Sequence, residues 1–256
     1  MKALWIVLAC AAQDHELRWR LEKGDSWVEH RKVEYVTTEG KTERRQVLET
    51  VIHFSVQSEG GVDRTVRSFA LRIESPEGKI DIAYENGAWK RTDWGDLEEA
   101  KEDYEEFVTH PPKLIAKANG EMRSVDEVEG EIVGMSPQAP ALLPEGKVKV
   151  GDSWTVPEES EGLTEFLISM KLESVQGRTA ILRMTMTLPE RVESQADEAT
   201  VQGSMPVSVE FDLDKGLIRS QKGSGEFFFT RRNPAGGAPI RSSLKMTVDT
   251  TREREK

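Results

Sequence analysis

The tetrapeptide Gly-Asp-Ser-Trp occurs twice, at Gly24–Trp27 and Gly151–Trp154, half a chain length apart. Its serine is the first residue to weigh as a nucleophile. A Gly-Asp-Ser block suits a serine esterase only if a histidine can take the hydroxyl proton, and in that enzyme type the base lies near the C-terminus. The four histidines, His15, His30, His53 and His110, all stand in the first half, and none sits in an Asp-x-x-His spacing. No Gly-x-Ser-x-Gly elbow is present either. Ser26 and Ser153 are therefore expected to have no histidine beside them, and no residue is assigned as catalytic.

Metal chemistry needs ligands at short, regular spacing. Four scattered histidines and one cysteine offer no His-x-x-x-His or Cys-x-x-Cys. Asp212-x-Asp214-x-Gly216 has the first part of a calcium loop but lacks the third ligand and the closing glutamate, so it reads as a β-turn with Gly216 at positive φ. Gly60-Gly61, Gly223-Ser224-Gly225 and Gly236-Gly237 lack the Lys-Ser/Thr that a phosphate-cradling loop needs. No metal and no cofactor is expected.

Two further residue types carry candidate roles. Met170, Met184, Met186, Met205 and Met246 all fall on the apolar side of alternating segments, where flexible thioethers either fill core gaps or line an adaptable apolar binding surface. They are the candidate ligand-binding residues. Cys10, the single cysteine, ends the run Val7-Leu8-Ala9-Cys10 and is the candidate lipidation site, since a small residue followed by cysteine there matches a bacterial lipobox. Three fates stay open for residues 1–12: acylation at Cys10, cleavage after Ala11 or Ala12, or retention as a first strand. The run is too short to span a hydrocarbon core of about 30 Å. Membrane contact is thus expected only through a lipid anchor.

The elements that position these residues are strands. Leu17, Trp19 and Leu21 alternate with charged neighbours, and Phe166, Ile168, Met170 and Leu172, then Ala180, Leu182, Met184 and Met186 after a Gln176-Gly177 turn, alternate with mostly polar ones. Met205, Val207, Val209, Phe211 and Leu213 form the cleanest stripe. Leu48, Ile52, Phe54 and Val56 share one face, as do Phe69, Leu71 and Ile73, and the last stripe is Ile240, Leu244, Met246 and Val248. One short amphipathic helix is expected near 96–108, opened by the Asp96 to Glu99 capping signature, striped by Leu97, Ala100, Tyr104 and Phe107, and closed by Pro111-Pro112. Its acidic face reads as solvated surface. The fold class is mainly β: a large curved antiparallel sheet, half-barrel or sandwich. Residues 1–12 are a signal segment and 13–256 a single β-rich domain. The alternative is two lobes, 13–135 and 142–256, parted by the Pro-rich run Ser136 to Pro144.

Thirty-five basic residues against 46 acidic ones set the net charge at −11. So acidic a surface repels phosphate backbones and anionic headgroups, which excludes nucleic acid as the expected partner. Leu143-Pro144, the stretch Val148 to Trp154, and Phe211-Asp212 with Lys215-Gly216 and a returning strand resemble an uncharacterised family of exported bacterial β-rich proteins over roughly residues 142–250. That resemblance implies an envelope or secreted setting and no activity. At the level of fold the chain is similar to half-barrel lipoprotein carriers of the LolA and LprG type, whose curved sheet and covering helix hold lipid chains, although it has just one evident helix. The expectation is an exported, non-enzymatic cell-envelope protein, periplasmic or lipid-anchored, with secretion as the alternative. It would bind a lipid or other apolar ligand, or an envelope protein partner, on a concave sheet. A filled structural module and an acid-dependent hydrolase are the other readings.

Overall fold

A computed structural model describes residues 13–58, 60–125, 142–156, 167–188, 191–193, 198–233 and 237–255. The signal segment with Cys10, Phe166, most of the Pro-rich run and the tip of the Asn233 to Pro239 loop lie outside these residues. The alternating segments become β1 (Ser26–Glu39), β2 (Thr42–Val56), β3 (Gly61–Ser75), β4 (Gly78–Glu85) and β5 (Ala88–Asp93). After the helix come the short β6 (Leu114–Ala116), β7 (Met122–Ser124) and β8 (Ser153–Val156). The second half adds β9 (Leu167–Gln176), β10 (Thr179–Thr187), β11 (Arg191–Glu193), β12 (Glu198–Asp212), β13 (Leu217–Arg231) and β14 (Ile240–Glu255).

All fourteen strands join one antiparallel sheet, open from β5 to β8 in the order β5-β4-β3-β2-β1-β14-β13-β12-β10-β9-β8. Consecutive strands mostly pair as hairpins, as short turns such as Gln176-Gly177 dictate, with Gly177 at φ 60°. The exception is the centre, where the last strand lies against the first along its full length, from Ser26 opposite Glu255 to Glu39 opposite Ser242. The two halves of the chain are therefore parts of one ladder.

Period-2 alternation buries one face. On β2 the even positions Leu48, Ile52, Phe54 and Val56 are all buried, and they belong to two hydrophobic clusters on that same inner face. The smaller cluster packs Leu48, Phe69, Leu71, Ile80, Ile82 and Tyr84 beneath helix α1 (Lys101–Thr109), which contributes Tyr104, Phe107 and Val108. A 3-10 turn, Gly95–Ala100, precedes α1, and neither carries a side-chain cap. The capping role expected of Asp96 is thus not realised, because the tighter winding sets Leu97 and Ala100 against this cluster instead. The larger cluster is covered by Leu17, Trp19, Leu142, Leu143 and Val148, coil segments laid over the inner faces of β1, β2, β9, β10, β12 and β13.

Close strand approach is built in at β12 and β13. A Cβ on Gly223 would lie 2.4 Å from the Pro206 carbonyl oxygen, and one on Gly225 would lie 2.5 Å from that of Ser204. Pro206 lacks the N–H a central ladder requires, and the glycines let the backbones pass where any side chain would collide.

Candidate functional site

The two Gly-Asp-Ser-Trp segments fold into turns with the same wiring. In the first, Gly24 is at φ 92°, the Glu22 N–H donates to the Asp25 carboxylate at 2.9 Å, and Gly24 and Asp25 exchange backbone bonds with Val56. In the second, Gly151 is at φ 101°, the Lys149 N–H donates to Asp152 at 2.8 Å, and Gly151 and Asp152 exchange the equivalent bonds with Leu172. The aspartate side chain closes the turn and the glycine supplies the left-handed residue. No hydrogen bond joins Ser26 or Ser153 to a histidine among the described residues; the nearby His53 lies against Glu255 at 3.3 Å instead. The tryptophans differ. Trp27 is 2% exposed, whereas Trp154 is half-buried and donates its Nε1–H to the Leu142 carbonyl at 3.0 Å. The cause is topology, since β1 is central and β8 is an edge strand.

Asp212 and Asp214 form a turn as well. The Asp212 carboxylate accepts from the N–H groups of Asp214 and Lys215, Gly216 sits at φ 56°, and Asp214 pairs with Arg178 at 2.7 Å. Among the described residues, no group of three His, Cys, Asp or Glu side chains is placed to hold a metal.

The five candidate methionines all come to the inner face. Met170, Met184 and Met205 are buried at 1%, 8% and 1% exposure, while Met186 and Met246 are half-buried against the same cluster. Met170 stands opposite Met184 and Met186 opposite Met205. Across the centre of the sheet, register aligns β14, β1 and β2 into rows: Arg252, Glu29, Ile52; Thr250, Arg31, Thr50; Val248, Val33, Leu48; Met246, Tyr35, Gln46. Tyr35 and Met246 of the last row, with Leu244, Phe229, Met186 and Ile168, are half-buried apolar side chains on this face.

The first two rows are polar, which the methionine stripe did not signal. Glu29 and Arg252 form a 2.7 Å ion pair with both side chains under a tenth exposed. Arg64 donates Nε–H to the Pro112 carbonyl at 3.0 Å and lies over the Phe107 ring at 5.4 Å. Burial brings its pKa down to about 10, against the opposing pull of Glu29. Burial likewise raises Tyr35 and pushes Tyr104 up to about 12. A sequence signal existed: Glu29 and Arg31 interrupt the period-2 run Trp27, Val33, Tyr35, and Arg252 continues the run Leu244, Met246, Val248.

On the opposite face, Val51, Ser68, Ala70 and Ala83 floor an open hollow of about 620 Å³. Two pairs join charges on its rim, Lys32 with Glu49 at 2.7 Å and Lys222 with Asp249 at 3.2 Å, while Arg72 and Arg91 turn to Asp81. The hydrogen bond from Lys32 holds Glu49 below the usual carboxylate range. A carboxyl kept ionised this way is a poor general acid at neutral pH.

Other carboxylates brace the sheet. Glu255 accepts two bonds from Arg67 at 2.8 and 3.0 Å, which set its pKa below the ordinary 4.5. Burial would raise Asp25, but the Glu22 N–H and Arg254 outweigh it and lower the pKa from 3.8. A depressed folded pKa gives stability that is complete above the unfolded value and lost as pH falls through the folded one. The thermal midpoint is therefore expected to stay level from about pH 7 to about pH 5 and to fall below about pH 4. Calorimetry across that range checks it, and an unchanged midpoint at about pH 3 is the contrary result.

No family model matches the chain, and no curated protein matches it. Among solved structures, one of lipovitellin described as showing lipid–protein interactions is similar at 9% identity and a TM-score of 0.52, covering 91% of this chain and 25% of that one. The chain thus spans about a quarter of the lipovitellin chain, and the likeness is one of fold. OccK11 (OpdR) of Pseudomonas aeruginosa matches at 7% identity and a TM-score of 0.20, covering 94% of this chain and 100% of that one. A loop-deletion mutant of OmpT from Vibrio cholerae matches at 9% and 0.16, with coverages of 91% and 100%. Neither of these two scores carries an argument. No helix among the described residues is long and apolar enough to cross a membrane.

Proposed function

We propose that this is a non-enzymatic protein of the exported cell envelope that holds an apolar ligand, a lipid in the first instance, on the inner face of its sheet. The observation that supports the reading is the half-buried strip of Tyr35, Leu244, Met246, Phe229, Met186 and Ile168. These side chains share a face with a fully packed core yet stay partly exposed. Met170, Met184 and Met205 are buried on the same face, where flexible thioethers can adapt to a neighbour's shape. The fold likeness to lipovitellin supports it at the coarse level of architecture, as does the resemblance of the second half to exported β-rich proteins. The same reading takes residues 13–256 as one domain, because β1 and β14 make the two halves share a ladder. It takes Cys10, if acylated, as the anchor to the membrane.

Native mass spectrometry of detergent-free protein is expected to show a co-purified or added lipid. A fluorescent fatty acid is expected to bind about tenfold more weakly to Met246→Lys than to the parent, since a charge would replace apolar contact worth about 1.5 kcal/mol or more. No bound lipid together with no probe binding would defeat the reading. A protein partner is the second reading, favoured by the hollow on the opposite face, whose small-residue floor and charged rim suit a complementary protein surface.

A further inference from the structure

We infer that the hollow on the face opposite the core binds a small molecule bearing one oxyanion, carboxylate or phosphate, which Arg72 and Arg91 hold while its uncharged body rests on Ser68, Ala70 and Ala83. The inference goes beyond the inner-face reading and does not depend on it.

The hollow exists because short side chains stand in line where their neighbours are long. One row across the sheet runs Lys32, Glu49, Ala70, Ala83, Arg91 from β1 to β5, and the next runs Val51, Ser68, Glu85 from β2 to β4. The two alanines and the serine leave an open volume of about 620 Å³, within the range that takes a small ligand.

Its β3–β5 side is the electropositive end. Arg72 and Arg91 converge on one carboxylate oxygen, Asp81 Oδ1, at 3.7 and 2.7 Å, so their guanidinium groups are neighbours. A register shift between Ala83 and Tyr84 makes Lys90 an extra residue beside Arg91. Lys90 also lines the hollow, and no ion pair engages it among the described residues. Arg72, Lys90 and Arg91 against Asp81 and the nearby Glu85 leave one positive charge in excess, in a chain whose net charge is −11. The field of these arginines reaches across the floor: the lowered pKa of Glu49 owes most to Lys32, with Arg72 and Arg91 adding to it. Glu49 itself is held by Lys32 at 2.7 Å, three strand spacings or about 14 Å from the Arg91 backbone.

Both guanidiniums are free to meet a ligand. Arg91 touches Asp81 through a buried Nε, so the 40% exposure of its side chain lies on its other atoms. Arg72 stands beyond hydrogen-bond reach of Asp81 and is 44% exposed. No hydrogen bond engages the terminal N–H groups of either among the described residues. Neighbouring guanidinium forks match the oxygens of a carboxylate or phosphate.

Titration calorimetry of the full chain with benzoate, phenyl phosphate, phenol and inorganic phosphate at neutral pH tests this. Benzoate, phenyl phosphate or both are expected to bind about tenfold or more tightly than phenol, as charge-assisted contact implies, and phenyl phosphate more tightly than inorganic phosphate. Arg72→Gln and Arg91→Gln are each expected to cut the preference over phenol severalfold, with Arg91→Lys between. Lys222→Gln, across the hollow in its pair with Asp249, is expected to leave it unchanged. Ala83→Leu fills the floor with the arginines in place and is expected to weaken all three aromatic probes. Equal affinity for the anions and phenol, or a preference that survives both glutamine variants, overturns the oxyanion site. Inorganic phosphate binding as tightly as phenyl phosphate, or full binding to Ala83→Leu, overturns the seat on the floor. No binding by any probe overturns the whole inference and leaves the hollow to a protein surface, while lipid binding on the inner face stands or falls separately.

Discussion

Replacing Trp27 with alanine is expected to lower the free energy of unfolding by about 3–5 kcal/mol, a large part of the stability of a typical domain. Trp27 is 2% exposed, stacks on Phe54 at 5.0 Å with the rings 4° from parallel, and meets the edge of Trp19 at 6.3 Å. Its removal leaves a cavity between a central strand and the coil segment that covers it, where neither can collapse easily. Trp154→Ala, in a turn of identical wiring, is expected to cost only about 1–2 kcal/mol, because the partly exposed ring has less buried apolar area to lose. Trp27→Phe should retain most of the stability, since the buried Trp27 Nε1–H has no acceptor among the described residues and phenylalanine discards it. Urea unfolding of the three variants measures the ordering. Equal losses for the two alanine variants would show that the tetrapeptides do equal structural work.

The second large effect lies in the buried pair. Glu29→Ala is expected to destabilise by about 3–5 kcal/mol, because the Arg252 guanidinium stays below a tenth exposed with no carboxylate to face. Its remaining contact, Nη1 to the Ile218 carbonyl, is long at 3.4 Å. The double variant Glu29→Leu with Arg252→Met should recover most of that loss, as apolar side chains of similar volume carry no desolvation cost on an otherwise apolar face. A double-mutant cycle in urea reads the coupling. If the double variant is as unstable as the single one, the pair contributes through shape, and its charge is incidental.

Much of the scaffold was legible along the chain. The stripes at Met205 to Phe211 and at Leu48 to Val56 become inward faces of β12 and β2, and Tyr104 and Phe107 face the core from α1 as the helical spacing implies. The turns at Gly24, Gly151, Gly177 and Gly216 all place glycine at positive φ. Alternation reports which way a side chain points, and glycine reports where the backbone reverses. Both are local properties, so local sequence carries them. The helical run falls where the spacing puts it, but its first turn, Gly95–Ala100, winds as 3-10 with Leu97 and Ala100 packed inward and without the side-chain cap expected of Asp96.

Neighbourhood was not legible. Nothing near Trp27 or Trp154 tells that one strand is flanked on both sides and the other is an edge, yet this separates a buried ring from a half-exposed one. Likewise Glu29 and Arg31 read as isolated interruptions of a stripe. They become a polar site only because β14 returns across the whole chain to set Arg252 and Thr250 beside them, while β2 brings Thr50 and β3 brings Arg64. The sequence by itself determined that this is an antiparallel β protein with one apolar face and no nucleophile–base pair in its repeated tetrapeptide. Only the tertiary structure decided which rows of that face are polar, which are filled and which stay open, because cross-strand pairing is set by long-range register, and the two-residue period is the same whichever strand lies alongside.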